Sequence, residues 1–282
     1  MEVIVAGSAG FCFGVQRAVD TVYSEAEKGE SIYTFGPIIH NKEVVADLEK
    51  KGVKVIDDTE QLEKIGEGAI VIRSHGVSKE TESILGASSL RVVDATCPFV
   101  KKIHQIVEHD SMAGNHIVVI GSRNHPEVAG IIGWCRSDAC VIENKEEASA
   151  YTIDDDREIT VVSQTTFQPV KFKELVEILQ GKGYNVNVVN TICNATIKRQ
   201  EEARTIASSV DMMIVIGDSK SSNTQKLYEI CSRECSCTKF VQTKDDLEVG
   251  PQGSLRRVGI TAGASTPKKI IEEVQNYVRI NF

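Results

Sequence analysis

RVVDATC, residues 91–97, is an apolar, β-like run that ends on a cysteine, and the chain holds two more runs of this kind. VIVAGSAGFC (3–12) ends on Cys12, and NVNVVNTIC (185–193) ends on Cys193. Each cysteine is followed by a helical pattern with basic residues near its start: Arg17, Lys101 and Lys102, Lys198 and Arg199. Further on, each repeat has an apolar strand ending in glycine: IYTFG at Gly36, IVVIG at Gly121 and MIVIG at Gly217. Cys12 to Cys97 and Gly36 to Gly121 are both 85 residues; Cys97 to Cys193 and Gly121 to Gly217 are both 96. Two landmarks that keep the same offsets mark an internal threefold repeat.

Strands alternate with helices through all three repeats. This predicts an α/β fold with parallel sheets covered on both faces. The expected domains are 12–96, 97–192 and 193–282, arranged with pseudo-threefold, trefoil-like symmetry. The first two repeats end with a helix and then the strand that delivers the next cysteine; the third ends at its helix. The spare strand lies at the N-terminus, so residues 1–11 are expected to add the closing strand of the third domain. After the glycine loops, helices are read over KEVVADLEKKG (42–52), VAGIIGWCR (128–136) and TQKLYEICSREC (224–235).

The bulk numbers narrow the function. The chain has 282 residues, 41% hydrophobic and 26% charged, ordinary values for a folded α/β protein. A formal charge of −8 with no long basic run argues against nucleic-acid binding, which needs a basic surface. MEVIVAG lacks the charged start and long apolar core of a signal peptide, and no apolar run is long enough to span a bilayer. The expectation is a cytoplasmic protein with reduced thiols and no membrane partner.

Three similar units around one axis would bring Cys12, Cys97 and Cys193 together there. Three converging thiolates in a reduced compartment suggest an iron–sulfur cluster. They would bind three irons of a cubane and leave the fourth open as a Lewis acid. The loops after the glycines lie at the carboxyl ends of strands, where open α/β sheets place ligands. They hold His40 and Asn41; His125 and Glu127; Ser221, Ser222 and Asn223. A second set of strand ends adds Ser74 and His75; Gln164, Thr165 and Thr166; Ser265 and Thr266. Around an axis these would line one polar cavity suited to phosphate, because imidazoles, hydroxyls, an amide and helix N-termini all donate to anions. Acid–base work is expected of Glu127, with His125 donating to phosphate. No P-loop lysine or complete G-x-G-x-x-G sits at a strand–helix turn, so no nucleotide cofactor is expected.

The other candidates are read more plainly. Cys231, Cys235 and Cys237 form C-x3-C-x-C, a rival metal motif, but no fourth ligand follows at zinc spacing, and they are taken as structural. Cys135 and Cys140 have no evident partner. Trp134 is packing; His104, His109 and His116 are surface or packing residues. The basic residues after the cysteines are solvated helix faces or a docking surface for an acidic electron donor.

AGFCFGVQRAV, GPIIHNKEVVADL, RSHGVS, DATCPFVKKIH, GSRNHPEVAGIIG, SQTT, NTICNATIKRQ, GDSKSSNTQKL and TAGASTP run from residue 9 to residue 267. Together they closely resemble the 4-hydroxy-3-methylbut-2-enyl diphosphate reductases of the non-mevalonate isoprenoid pathway. The resemblance implies a trefoil-like α/β fold around a [4Fe–4S] cluster held by Cys12, Cys97 and Cys193. It implies that the substrate hydroxyl binds the unique iron and that the diphosphate lies among His40, His75, His125, Ser221, Ser222, Asn223 and Ser265. Glu127 would relay protons, with Thr165 near the hydroxyl and Thr166 in support. Two electrons from a ferredoxin, flavodoxin or similar carrier, with two protons, would remove the hydroxyl as water and give isopentenyl and dimethylallyl diphosphates. Two other readings remain open at this stage: a cluster-bearing condensing dehydratase like the quinolinate synthases, and an iron–sulfur redox sensor.

Overall fold

The structure, a computed structural model, describes residues 1–153, 156–248 and 255–282. In chain order the first repeat gives β1 (Glu2–Val5), α1 (Phe13–Ala26), β2 (Ile32–Phe35), α2 (Lys42–Lys50), β3 (Lys54–Ile56), β4 (Ala69–Ile72), α3 (Lys79–Ala87) and β5 (Arg91–Asp94). The second gives α4 (Pro98–Met112), β6 (His116–Ile120), α5 (Pro126–Ile132), β7 (Ala139–Ile142), α6 (Lys145–Ala150), β8 (Ile159–Ser163), α7 (Pro169–Gly181) and β9 (Val186–Val188). The third gives α8 (Asn194–Ala207), β10 (Met212–Ile216), α9 (Ser222–Glu234), β11 (Thr238–Val241), β12 (Arg257–Ala262) and α10 (Lys268–Asn281).

Three four-stranded sheets result, in the orders β3-β2-β4-β5, β7-β6-β8-β9 and, read in the same sense, β11-β10-β12-β1. Every pairing is parallel. β1 therefore takes the edge that β5 and β9 take in the other two sheets, and each of these three edge strands leads to one of the repeat cysteines. The central strands are apolar on both faces. AIVI of β4, ITVVS of β8 and MMIVI of β10 are buried at every position. Only a sheet covered on both sides supports such runs. Separate apolar clusters fill in around the sheets, including Ile70, Ile72 and Leu85 in the first, Ile117, Val119 and Ile131 in the second, and Ile214, Ile260 and Val274 in the third.

By compactness the chain divides into two units. One comprises Met1–Gln16, Ile39–Asp47 and Asn194–Phe282 and contains the third sheet; the other comprises Arg17–Ile38 and Leu48–Cys193 and contains the first two.

Several elements differ from the sequence expectation. The helix expected over 128–136 runs over Pro126–Ile132, and the one expected over 224–235 starts at Ser222. Both begin early because a side chain caps them: His125 Nδ1 accepts the Glu127 N–H at 3.1 Å, and Ser221 Oγ accepts the Thr224 N–H at 3.4 Å. Between β3 and β4 the chain makes a 3₁₀ turn over Thr59–Lys64. α6 was not expected; it is too short for an apolar period and is set by its cap, Asn144 accepting the Glu147 N–H at 2.9 Å. Among the described residues no helix is long and apolar enough to cross a membrane.

Candidate active site

The repeat glycines build the same strand end three times. The amides of Gly36, Gly121 and Gly217 donate to the last carbonyls of the neighbouring strands, Ile56, Ile142 and Val241, at 2.7, 3.1 and 2.9 Å. Register then sets Arg73, Gln164 and Gly263 beside them, because Phe35 pairs with Ile72, Ile120 with Ser163 and Ile216 with Ala262. Counting on from those positions makes His75, Thr166 and Ser265 equivalent, and Ser74 equivalent to Thr165. Four residues after each glycine come His40, His125 and Ser221. His40, His75, His125, Thr166, Ser221 and Ser265 are thus repeats of two backbone positions.

In the larger unit these positions converge. The His75 and His125 rings meet edge-on with centroids 5.3 Å apart. Because His125 Nδ1 accepts the Glu127 N–H, the neutral imidazole carries its proton on Nε2 and can donate from there. Glu127, 3% exposed, lies in the first turn of α5 and not in a loop. Its carboxylate accepts the Thr165 N–H at 2.6 Å and the Thr165 hydroxyl at 2.8 Å. The Thr165 carbonyl in turn accepts the Cys193 N–H at 3.0 Å. The Ser74 carbonyl does the same for the Cys97 N–H, also at 3.0 Å. Two of the three repeat cysteines hang from equivalent strand ends. Thr166, beside Thr165, is half-buried.

In the smaller unit Ser221 is the α9 cap, Ser222 accepts from Lys226 Nζ at 3.2 Å, and Asn223 lies in the first turn, 3% exposed. Both polar atoms of the Asn223 amide are buried without a hydrogen-bond partner among the described residues. Such a group is costly unless a ligand meets it. The turn is seated by close packing. A Cβ on Gly217 or Gly263 would fall 2.5 or 2.0 Å from Thr224 Oγ1, so glycine is needed at both strand ends. Asn41 caps α2, accepting the Val44 N–H at 3.1 Å, next to the half-buried His40. Ser265 is half-buried at its strand end, and Thr266 donates to the Ile216 carbonyl at 3.1 Å. Asp218 is a second carboxylate in these loops that the sequence reading passed over; it caps the turn by accepting the Lys220 N–H at 2.8 Å.

The cysteines fall into two groups. Cys12, Cys97 and Cys193 are half-buried, and each immediately precedes a helix: α1, α4 or α8. Cys231 and Cys235 instead sit in the apolar core of the third sheet, and burial pushes the Cys231 thiol up to about 12. Cys135, half-buried against the second cluster, is likewise pushed up by desolvation to about 12. These are packing thiols. His104, 4% exposed, stacks on Trp134 with centroids 5.1 Å apart, and Trp134 donates to the Val77 carbonyl at 2.9 Å.

Of the basic residues after the cysteines, Lys101, Lys102 and Lys198 are exposed, as a solvated helix face requires, and only the two arginines depart from both sequence readings. Arg17 donates to the carbonyls of Asp94, Ala95 and Thr96, the loop before Cys97. Arg199, 3% exposed, donates to the carbonyls of Ser8 and Gly10, the loop before Cys12. They are neither solvated nor a free docking face, because each guanidinium is turned inward onto carbonyl oxygens.

A family profile described as LytB protein matches residues 3–279. The chain belongs to the LytB family. It is 44% identical over 282 residues to the 4-hydroxy-3-methylbut-2-enyl diphosphate reductase of Thermoanaerobacter sp. (strain X514), covering 99% of this chain and 97% of that one. The reductase of the same name from Clostridioides difficile (strain 630) is 43% identical over 279 residues, covering 99% of each. Among solved structures, the E-1-hydroxy-2-methyl-but-2-enyl-4-diphosphate reductase of Plasmodium falciparum superposes with a TM-score of 0.91 at 29% identity, covering 99% of this chain and 87% of that one. A structure titled as (E)-4-hydroxy-3-methyl-but-2-enyl diphosphate reductase, the terminal enzyme of the non-mevalonate pathway, gives 0.72 at 39% identity, covering 99% of this chain and all of that one. This LytB chain is therefore an enzyme of a reductase family, and its three parallel α/β units are those of LytB structures.

Proposed function

We propose that this LytB protein reduces (E)-4-hydroxy-3-methylbut-2-enyl diphosphate, removing its hydroxyl. One substrate, two electrons and two protons give isopentenyl or dimethylallyl diphosphate and one water, so atoms and charge balance. Cys12, Cys97 and Cys193 would hold a [4Fe–4S] cluster. The donor set fits that group: three soft sulfur ligands, half-buried and each at a helix start, set apart from the core-buried thiols. Such a cluster, when bound, supplies single electrons and an open iron corner. A ferredoxin- or flavodoxin-like carrier would reduce it in the cytoplasm.

The observation that carries the reading is the Glu127–Thr165 pair. A buried carboxyl addressed by both the amide and the hydroxyl of one residue is held in a single orientation. In turnover this hydrogen bond would reverse, protonated Glu127 passing its proton from Oε2 to Thr165 Oγ1 as that hydroxyl gives its own to the leaving oxygen. The diphosphate would be the anion for the polar positions, His125 donating from Nε2 and Asn223 from an amide with no hydrogen-bond partner among the described residues. His40, His75, Ser221, Ser222 and Ser265 supply further donors, and Thr166 supports Thr165.

Anaerobic turnover with a reduced carrier tests the function. Two electrons consumed per substrate, with both isomeric products, is the expected result. Dehydration without electron consumption would instead favour the condensing-dehydratase reading.

A further inference from the structure

α8 starts directly after Cys193 and grips the loop that ends at Cys12. Arg199 donates from Nε to the Ser8 carbonyl at 2.8 Å and from Nη2 to the Gly10 carbonyl at 2.7 Å. Less than one turn on, Glu202 accepts the N–H groups of Gly7 and Ser8 at 2.8 and 2.9 Å, and also the Ser8 hydroxyl. One helix thus satisfies both donors and acceptors of a loop without regular structure. Charge-assisted bonds of this kind are stronger than neutral ones, and a guanidinium fork adds direction. α1 starts directly after Cys12 and repeats the device on the next cysteine. Arg17 donates from Nη1 to the Thr96 carbonyl at 2.9 Å and from Nη2 to the Asp94 carbonyl at 3.2 Å. The loop before Cys193 is held differently: the Thr191 hydroxyl donates to the Ser163 carbonyl at 2.6 Å and accepts the Ser163 N–H at 2.7 Å.

We propose that Arg199 with Glu202, and Arg17, are positioning residues that fix the thiols of Cys12 and Cys97 for metal binding, an inference that rests on the iron–sulfur reading above. Each clamp comes from the helix that follows one cysteine and acts on the loop that precedes another. The clamps hold the carbonyls of these two loops, and so the cysteines that end them.

The test uses the full chain with Arg199→Lys, Glu202→Gln or Arg17→Lys. Lysine keeps the charge and loses the fork. In the metal-free protein, iodoacetamide labelling followed by peptide mapping should show faster reaction at Cys12 in Arg199→Lys and at Cys97 in Arg17→Lys, with Cys193 unchanged in both. General loosening would speed all three equally and would overturn the proposal. After anaerobic reconstitution, iron release to a chelator should be about 10–100-fold faster than in the unmodified chain, the usual effect of removing an outer-shell partner. The spectrum of the reduced cluster should change as well. Folded variants with unchanged labelling, release and spectrum would also overturn it. If Arg199→Lys does not fold, Arg17→Lys at its half-buried position carries the same comparison. Failure of the unmodified chain to take up any cluster would instead remove the iron–sulfur reading, and the clamp's role in metal binding with it.

Discussion

Thr165 commits its amide and hydroxyl to Glu127 and its carbonyl to Cys193. Removing the carboxyl's acidity while keeping its shape isolates the proton step. Glu127→Gln should bind the allylic diphosphate normally and lose turnover by about 10²–10⁴-fold; near-normal turnover would take Glu127 out of the mechanism. His104 makes a separate prediction. Burial pushes its imidazole down to about 4 from 6.5, with Asp94 pulling it up and Lys101 pushing it further down. It is neutral when folded, while the unfolded chain binds the proton more readily. Its contribution to stability is therefore complete above about pH 6.5 and is lost as pH falls toward about 4, at most about 3 kcal/mol. Urea midpoints followed by Trp134 fluorescence should fall over that window, and His104→Gln should flatten the slope. Residue by residue, the sequence exposed the strand-end polar groups because they repeat. It hid the arginines, because a basic residue early in a helix looks the same whether it meets water or a carbonyl 191 positions away.

At the level of elements, strands were legible because the central ones are unbroken apolar runs, and helix starts were not. α5 and α9 begin two residues before their apolar periods, since the caps are a histidine and a serine in polar loops. This shift matters chemically: Glu127 and Asn223 stand in first helical turns, where backbone geometry fixes their direction. The α9 turn is seated by Thr224 between two glycines. Gly263→Ala should cost about 1–3 kcal/mol as overpacking and should also weaken diphosphate binding by displacing Asn223. Thermal melts and ligand titration check this. Thr224→Ala in the same chain should recover part of both losses, since it removes the Oγ1 that lies nearest the added methyl.

On the scale of the whole molecule, the equal spacing of cysteines and glycines made the threefold sheet pattern readable, including the N-terminal strand beside β12. The compact units were not readable, because α1 and α2 each straddle the division between them. The metal assignment is tested here as well. Cys97→Ser should fail to retain an intact cluster after anaerobic reconstitution, whereas Cys231→Ala should keep the full iron count. An unchanged iron content in Cys97→Ser refutes the ligand set.

β1 is made first and is paired last. Its partner, Arg257–Ala262, leaves the ribosome only after nearly the whole chain has been synthesised, so Glu2–Val5 waits as an unpaired edge throughout translation. At about 5–20 residues per second that wait lasts on the order of ten seconds or more. Cys12 follows this strand directly. Of the three cysteines that stand before helices, Cys12 is thus the first translated and the last whose preceding strand finds its partner, so a cluster that used it would be completed only after β12 has been made.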